Sequence, residues 1–444
     1  MKNIKTTRVA FFFENNRHSG LDFSNIKNGN SGLSGTAFMF HFIPWLLSIR
    51  DNGLDVVFYT THKEIFPSEL HNEQVADWTE AWKRCDENGT DFLVVKFSSS
   101  MMHDKRDVMF GAHTTKMIVW CHNFLTSREL TAYARCQNVT RLIAVGREQM
   151  DLYRDHRAFL KSDYIYNCVD IPDYYLSKKK KIRKHTVVYM GAVIPSKGLH
   201  LLAKAWPEVK KAVPDAELFV IGNGNLYSRN KDTSGLGALG LAEKDYEQMF
   251  SKYITEDNKL SEGVHLLGVL GKEKYDVLAE MKVGVPNPSG RTETFCICAV
   301  EMQMMGARIV SKRCAGYLDT VYNGILYDNS RELAGCIISE LLAEKIGGGE
   351  NVHKDIEKLF MPDTIAAEWE QLLLHCIPNE CHLHEDTNLY NPDFELKRFK
   401  EIMRRIKNKY PILYSIIPTL GIFIDCMKRI RFFIWKRKVK YFGL

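Results

Sequence analysis

With 444 residues, 45% of them hydrophobic and 11% aromatic, the chain is too long for one ordinary core and too apolar to be disordered. Its net charge of +6 is uneven: residues 397–444 carry fourteen Lys and Arg against Glu401 and Asp425, a balance of +12 that leaves −6 on the first 396 residues. An acidic body with a basic tail argues against nucleic-acid binding by the body and for two domains plus an appendage.

In chain order, the apolar run Val9–Phe13 is too short for a signal-peptide core and reads as a first strand, "RVAFFF". A polar loop ending in "NSGLSGTAF" follows, then the apolar segment Ala37–Ile49. "LDVVFYT", "DFLVVKF", "KMIVWCH", "RLIAVG" and "SDYIYNCVD" are further strand candidates separated by helical stretches. Such β-rich runs predict parallel strands covered on both faces. These elements fill a domain over residues 1–175, and the lysine-rich stretch 176–185 reads as a linker. The same grammar restarts over 186–360. "TVVYMG", "AELFVIGNGN", "GVHLLGVLG", "KVGVPNPSG" and "ARIVS" read as strands; "LHLLAKAWPEVKKAV", "KYDVLAEM" and "ETFCICAVEMQMMG" read as helices. The expected fold class is α/β, two Rossmann-like domains facing across a cleft, with ligands at the carboxyl ends of the strands. An amphipathic helix is expected over 361–378 and a basic aromatic tail over 379–444.

The tail's longest uncharged run, Tyr410–Ile424, contains Pro411 and Pro418 and falls short of the about 20 apolar residues a membrane span needs. "KRIRFFIWKRKVKYFGL" suits an interfacial segment instead, with cations near anionic headgroups and rings in the boundary layer. The alternative is a basic helix packed on the protein and solvated outside. The eleven cysteines are odd in number and form no CxxC pair, so reduced thiols in a cytosolic setting are expected, and the sequons at Asn88 and Asn138 read as coincidence. "HCIPNECHLHED" at His375–Asp386 offers zinc-binding residue types in a spacing that matches no closed structural site, so no metal is expected there.

Glu293 and Glu301 bracket seven uncharged residues. If the segment is helical from Thr294, Glu293 lies at a helix N-terminus, where free amides and the dipole favour an anion, and Glu301 lies about two turns on. Taken alone, the pair is explained by capping and solvation. The surrounding order of "SGLSGTAF", "VWCHNF", "LIAVGREQ", "YIYNCVD", "YMGAVIPSKGLHLLAKAW", "LFVIGNGN", "VHLLGVLG", "NPSGRTETFCICAVEMQMMGARIVS" and "AGYLDTV" resembles the retaining nucleotide-sugar glycosyltransferases of the GT-B fold, family 4 (glycosyl transferases group 1), over residues 7–375.

The resemblance implies roles. Lys197 pairs with the donor diphosphate, Glu301 grips the ribose hydroxyls, and Glu293 lies beside the donor sugar. The amides of Phe295 and Cys296 face the phosphates, and His122 stands near the donor sugar. Gly32 and Gly35 form the glycine-rich loop, and Gly268, Val269 and Leu270 sit where the family holds the base. It also implies no metal or other cofactor, a UDP-sugar donor in preference to GDP-sugar, and a saccharide or lipid-linked acceptor. Location is expected to be cytoplasmic, at the inner face of the membrane, in bacterial surface polysaccharide synthesis. The sequence departs from the family at three places: Ala192 replaces a diphosphate-binding arginine, for which Arg291 is the candidate substitute, and Cys296 and Cys168 replace glycines. The alternatives are a non-catalytic nucleotide-sugar or membrane-binding protein of the same fold, a nucleotide-sugar epimerase, or a phosphorylase, for which no pyridoxal lysine stands out.

Overall fold

In the computed structural model, residues 6–16, 22–30, 33–96, 101, 106–177, 180–224, 235–344, 350–376, 383–384, 396–421, 427 and 430 are described. Two parallel sheets form the body. In the first, β1 (Thr7–Phe13), β2 (Leu54–Thr60), β3 (His71–Gln74), β4 (Phe92–Lys96), β5 (Lys116–Cys121), β6 (Val139–Ala144) and β7 (Ser162–Tyr164) run in the order β3-β2-β1-β4-β5-β6-β7. In the second, β8 (Thr186–Met190), β9 (Glu217–Ile221), β10 (Val264–Gly268), β11 (Val283–Gly284), β12 (Arg308–Lys312) and β13 (Gly324–Tyr327) run β10-β9-β8-β11-β12-β13. Every pairing in both sheets is parallel, most strands returning through a helical crossover and β2 reaching β3 through the loop 61–70. Two doubly wound domains, as expected, make up the body.

The strand order reverses between β1 and β4 in one sheet and between β8 and β11 in the other. At such a switch point neighbouring crossovers leave in opposite directions and open a crevice. Both crevices face the same space.

Apolar packing follows the two sheets. One cluster, with Trp82 and Leu93, covers the outer face of the first sheet, and another, with Trp206 and Val220, covers the outer face of the second. A third takes residues from both domains, among them Phe11, Ile143, Val188 and Val300. Within it α1 (Gly35–Ser48), which starts on the Ser34 cap, is buried from Ala37 to Leu47 and so carries almost no polar face.

Other helices follow the predicted pattern: α2 (Trp78–Glu87), α3 (Ser127–Arg135, with a Thr126/Glu129 capping box), α4 (Arg147–Asp151) and α5 (Leu199–Ala212). The second domain adds α6 (Ile297–Met304), α7 (Ala315–Thr320) and α8 (Leu333–Leu342).

The described residues past 344 include α9 (Glu350–Phe360), α10 (Pro362–Gln371) and α11 (Lys397–Lys409). α10 returns to the first domain. Trp369 packs edge-on to Phe11 and Trp120, with ring centroids 5.8 and 4.9 Å apart. Arg50 Nε and Nη1 reach Glu370 and Asp363, each at 2.6 Å, and the Val169 amide donates to the Phe360 carbonyl at 2.8 Å. The expected helix 361–378 therefore exists as α10 plus the π-helical turn Leu372–Cys376, and it belongs spatially to the first domain.

Three details differ from the sequence reading. The strand expected in "KVGVPNPSG" pairs only at Val283–Gly284, and β3, with the polar sequence His71–Gln74, was not anticipated because an edge strand needs no apolar alternation. The linker expected at 176–185 is overlapped by a helical turn, Asp173–Ser177.

Candidate active site

A cavity of about 740 Å³ lies between the two switch points. From the first domain it is lined by Phe12 and Phe13 at the end of β1, Lys96 at the end of β4 and His122 just past β5. From the second it is lined by Met190 and Gly191 after β8, by Lys197, and by the loop that carries Glu293.

Lys197 closes the turn Pro195–Lys197, and Gly198 follows with φ 75°. A Cβ there would lie 2.7 Å from the Ser289 amide, so only glycine lets the turn pass the Ser289 loop and start α5. The Lys197 ammonium sits 2.8 Å from Glu293 Oε2, and Asn287 Nδ2 donates to the same oxygen at 2.8 Å. Asn287 also accepts from Ser289 Oγ at 2.8 Å and donates to the Arg291 carbonyl at 3.2 Å, so one amide organises the loop. Thr292, next to Glu293, has φ 57°, a left-handed conformation that β-branched residues rarely adopt. Strain of this kind persists where its surroundings enforce it, here directly before the carboxylate that meets Lys197.

Glu293 to Cys296 is not helical. The helix starts at Ile297, with Cys296 as an N-cap lacking a side-chain bond, which corrects the start expected at Thr294. The physical reason is cross-bracing: Thr294 Oγ1 donates to the His122 carbonyl in the other domain at 2.8 Å, and the Gly316 amide donates to the Glu293 carbonyl at 3.2 Å. Phe295 and Cys296 still line the cavity, together with Ile297 and Cys298 of the first helical turn, whose amides come before the first intrahelical partner. Burial pushes the Cys296 thiol well up, so it is a neutral side chain and no nucleophile.

His122 is buried, and burial with the nearby Lys96 charge lowers its imidazole to about 3, so the ring is neutral. Its Nε2 has no hydrogen-bond partner, and the same holds for Asn167 Oδ1 on the same cavity. Buried polar atoms without partners cost free energy unless a ligand meets them, so these two mark where hydroxyls are wanted. Gly35, at the start of α1, completes this wall: a Cβ there would come within 3.0 Å of Ile297 Cδ1 across the domain interface.

The structure thus brings together His122, Lys197, Glu293, Phe295, Cys296 and Gly35. Five expected site residues do not line the cavity. Glu301 is buried, and its Oε1 takes the Lys274 ammonium at 2.6 Å and the Tyr275 hydroxyl at 2.8 Å. Arg291 is exposed, and its charge is felt by His200 on α5, so it does not fill the place left by Ala192, which is itself on the cavity wall. Gly268, Val269 and Leu270 lie at the end of β10 outside the lining; Gly268 (φ 67°) accepts from the Gly222 amide at 2.6 Å. Gly32 lies outside the described residues, as does most of the stretch His375–Asp386; among the described residues no group of three His, Cys, Asp or Glu is placed to hold a metal. Three contributors were missed by sequence reasoning: Asn287, Asn167 and Lys96. Asn167 adjoins Cys168, which was read only for its missing glycine.

Residues 184–343, the second domain, match the family described as glycosyl transferases group 1. The chain carries a glycosyl transferases group 1 domain. Solved glycosyltransferase structures share the whole two-domain body. Sucrose-phosphate synthase from Thermosynechococcus elongatus superposes with a TM-score of 0.56 at 13% identity, covering 84% of this chain and 100% of that one. A glycosyltransferase from Rickettsia africae gives 0.57 at 9% identity, covering 83% and 99%. The lipopolysaccharide outer core galactosyltransferase WaaB gives 0.53 at 12% identity, covering 82% and 98%. These likenesses establish the GT-B fold, and no curated protein matches the chain in sequence. The domain match in residues 184–343 carries the glycosyltransferase assignment, and the cavity lies between the two Rossmann-like halves.

Proposed function

We propose that the protein is a retaining, family 4 glycosyltransferase that moves a sugar from a nucleotide-sugar donor, UDP-linked in preference to GDP-linked, to a saccharide or lipid-linked saccharide in bacterial surface polysaccharide synthesis. It works without metal or other cofactor at the inner face of the membrane. The observation that carries this reading is the Lys197–Glu293 pair, braced by Asn287, beside the unpartnered His122 Nε2 and Asn167 Oδ1 in one cavity at two facing switch points.

The donor diphosphate lies over Lys197 and the start of α6. Lys197 exchanges its contact with Glu293 for the phosphate and offsets the negative charge that grows as the sugar–phosphate bond breaks. Glu293 then turns to the sugar, where it stabilises the oxocarbenium-like centre, and neutral His122 meets a sugar hydroxyl. The acceptor oxygen bonds the anomeric carbon from the face the phosphate leaves. Its proton passes to that phosphate, so no separate base is required and configuration is retained. Lys96, on the first-domain wall, adds positive charge to the acceptor side.

Glu301, already engaged by Lys274 and Tyr275, together with Ala192 and the exposed Arg291, favours a second reading, a protein that binds a nucleotide-sugar without transferring it. Purified protein screened against UDP- and GDP-sugars for thermal protection and donor turnover separates the two. Transfer or hydrolysis that falls about 100- to 1,000-fold in kcat for Lys197→Gln supports the enzyme. Protection without any turnover supports the binding protein.

A further inference from the structure

α11 is amphipathic in the reverse sense. Lys397, Lys400, Glu401 and Lys407 are buried against the first domain, while Phe399, Ile402 and Ile406 on the same helix are 50%, 56% and 41% exposed. The polar face is anchored by charge. Arg154, its side chain 1% exposed, reaches Glu401 at 2.7 Å and also binds Asp151; Lys397 pairs with Glu148 at 3.3 Å and with Asp151; Lys407 donates to the Asp155 carbonyl at 3.1 Å. After the helix, the Leu420 amide donates to Asp155 at 2.6 Å, pinning the following segment to the same site.

A helix held by its charges has only its apolar side to offer. Phe399, Ile402, Ile406 and Tyr410 follow i, i+3, i+7 and i+11, one continuous stripe, and Ile412 and Ile416 extend the exposed apolar surface past its end. Arg398, Arg405 and Lys409 are also exposed and run along one edge of that stripe. Between Leu396 and Gly421 the single acid is Glu401, and it faces inward.

We infer that this face of α11 docks the first domain on an anionic lipid bilayer, with the isoleucines and Phe399 in the acyl boundary and the three cations at the headgroups. Charge selects this occupant over a second copy of the chain. An antiparallel twofold interface through the stripe would set Arg398, Arg405 and Lys409 beside their own copies, and a parallel one would offer them no acid from the helix's outer face, whereas anionic headgroups complement them. The inference deepens the proposed use of a lipid-linked acceptor, on which it rests for its purpose: the half presenting the acceptor-side wall is the half fastened to the membrane. No described helix is long and apolar enough to cross a membrane, which fits contact in the plane of the interface.

The test uses the full chain and sedimentation with phosphatidylcholine vesicles, with and without roughly 30% phosphatidylglycerol. The protein is expected to sediment with the anionic vesicles, to lose about tenfold or more in affinity as Ile402→Glu/Ile406→Glu, and to lose its preference for anionic lipid as Arg398→Gln/Arg405→Gln/Lys409→Gln. A nitroxide on Ile402→Cys is expected to lose accessibility to a water-soluble relaxant when vesicles are added. Unchanged binding of the double glutamate variant, unchanged nitroxide accessibility, no binding by the wild type, or a dimer that these variants dissociate would each overturn the inference. Thermal protection by nucleotide-sugars, measured without vesicles, tests the donor site separately, so failure of one reading is not mistaken for failure of the other.

Discussion

Two carbons at Thr292 decide how firmly Glu293 is aimed. Its φ of 57° is costly for a β-branched residue and free for glycine. Thr292→Gly is expected to raise stability by about 1 kcal/mol in urea unfolding while lowering kcat, since relief of strain loosens the carboxylate. His122 sets a pH limit. Its pKa of about 3 in the folded chain lies below the unfolded 6.5, so unfolding takes up a proton in between. The stability it contributes is whole above about 6.5 and drains as pH falls toward about 3. His122→Asn is expected to flatten the fall in urea stability between pH 7 and 5 by up to ~2 kcal/mol, against an unmodified chain measured in parallel. At this scale the sequence was legible where a residue sits in an ordered motif, as Lys197 and Glu293 do. It was silent on Asn287, Asn167 and Lys96, whose significance comes from neighbours far along the chain. Arg291 shows the converse: closeness in sequence to Glu293 did not bring its side chain to the cavity.

Among the elements, α11 departs most from what its sequence suggested. The headgroup reading fell on residues 428–444, nearly all outside the described residues, whereas in α11 Lys397, Lys400 and Lys407 turn inward to meet Glu148, the Leu152 carbonyl and Asp155. Periodicity gives the two faces but not which of them is buried, because a few buried acids on α4 and the residues after it reverse the usual choice. Burial raises the Glu401 carboxyl, but bonds from Arg405 and Arg154 and the charge of Arg404 overcome it and hold the group at about 2. A lowered carboxylate contributes stability above its unfolded pKa of 4.5 that is lost as pH falls toward about 2, so α11 should undock in acid before the sheets unfold. Arg154→Ala, which removes the buried cation that Asp151 and Glu401 share, is expected to cost about 3 kcal/mol, read as lost hydrogen-exchange protection across residues 397–409. The late start of α6 has a similar origin. Nothing local to Thr294 forbids a helix, and the bond that straightens it comes from His122.

For the whole molecule, two doubly wound halves were legible because buried parallel strands need long β-rich runs, and each half supplies them. The return of α10 was not, since an amphipathic helix does not say which domain it covers. Trp369 makes that choice binding: it is fully buried against Phe11 and Trp120, so Trp369→Ala is expected to cost roughly 3–5 kcal/mol and to melt the first domain earlier than the second in calorimetry. This arrangement also bears on how the protein is made. The first domain has all its strands once Tyr164 has been synthesised, yet its interior lacks Trp369, Leu372 and Leu373 until the second domain has left the ribosome. At roughly 5–20 residues per second that wait is about 10–40 s, during which Phe11 and Trp120 lack the cover of Trp369. A nascent chain of this enzyme therefore exposes an unfinished aromatic surface for nearly half of its synthesis, and its two halves reach their final form almost together.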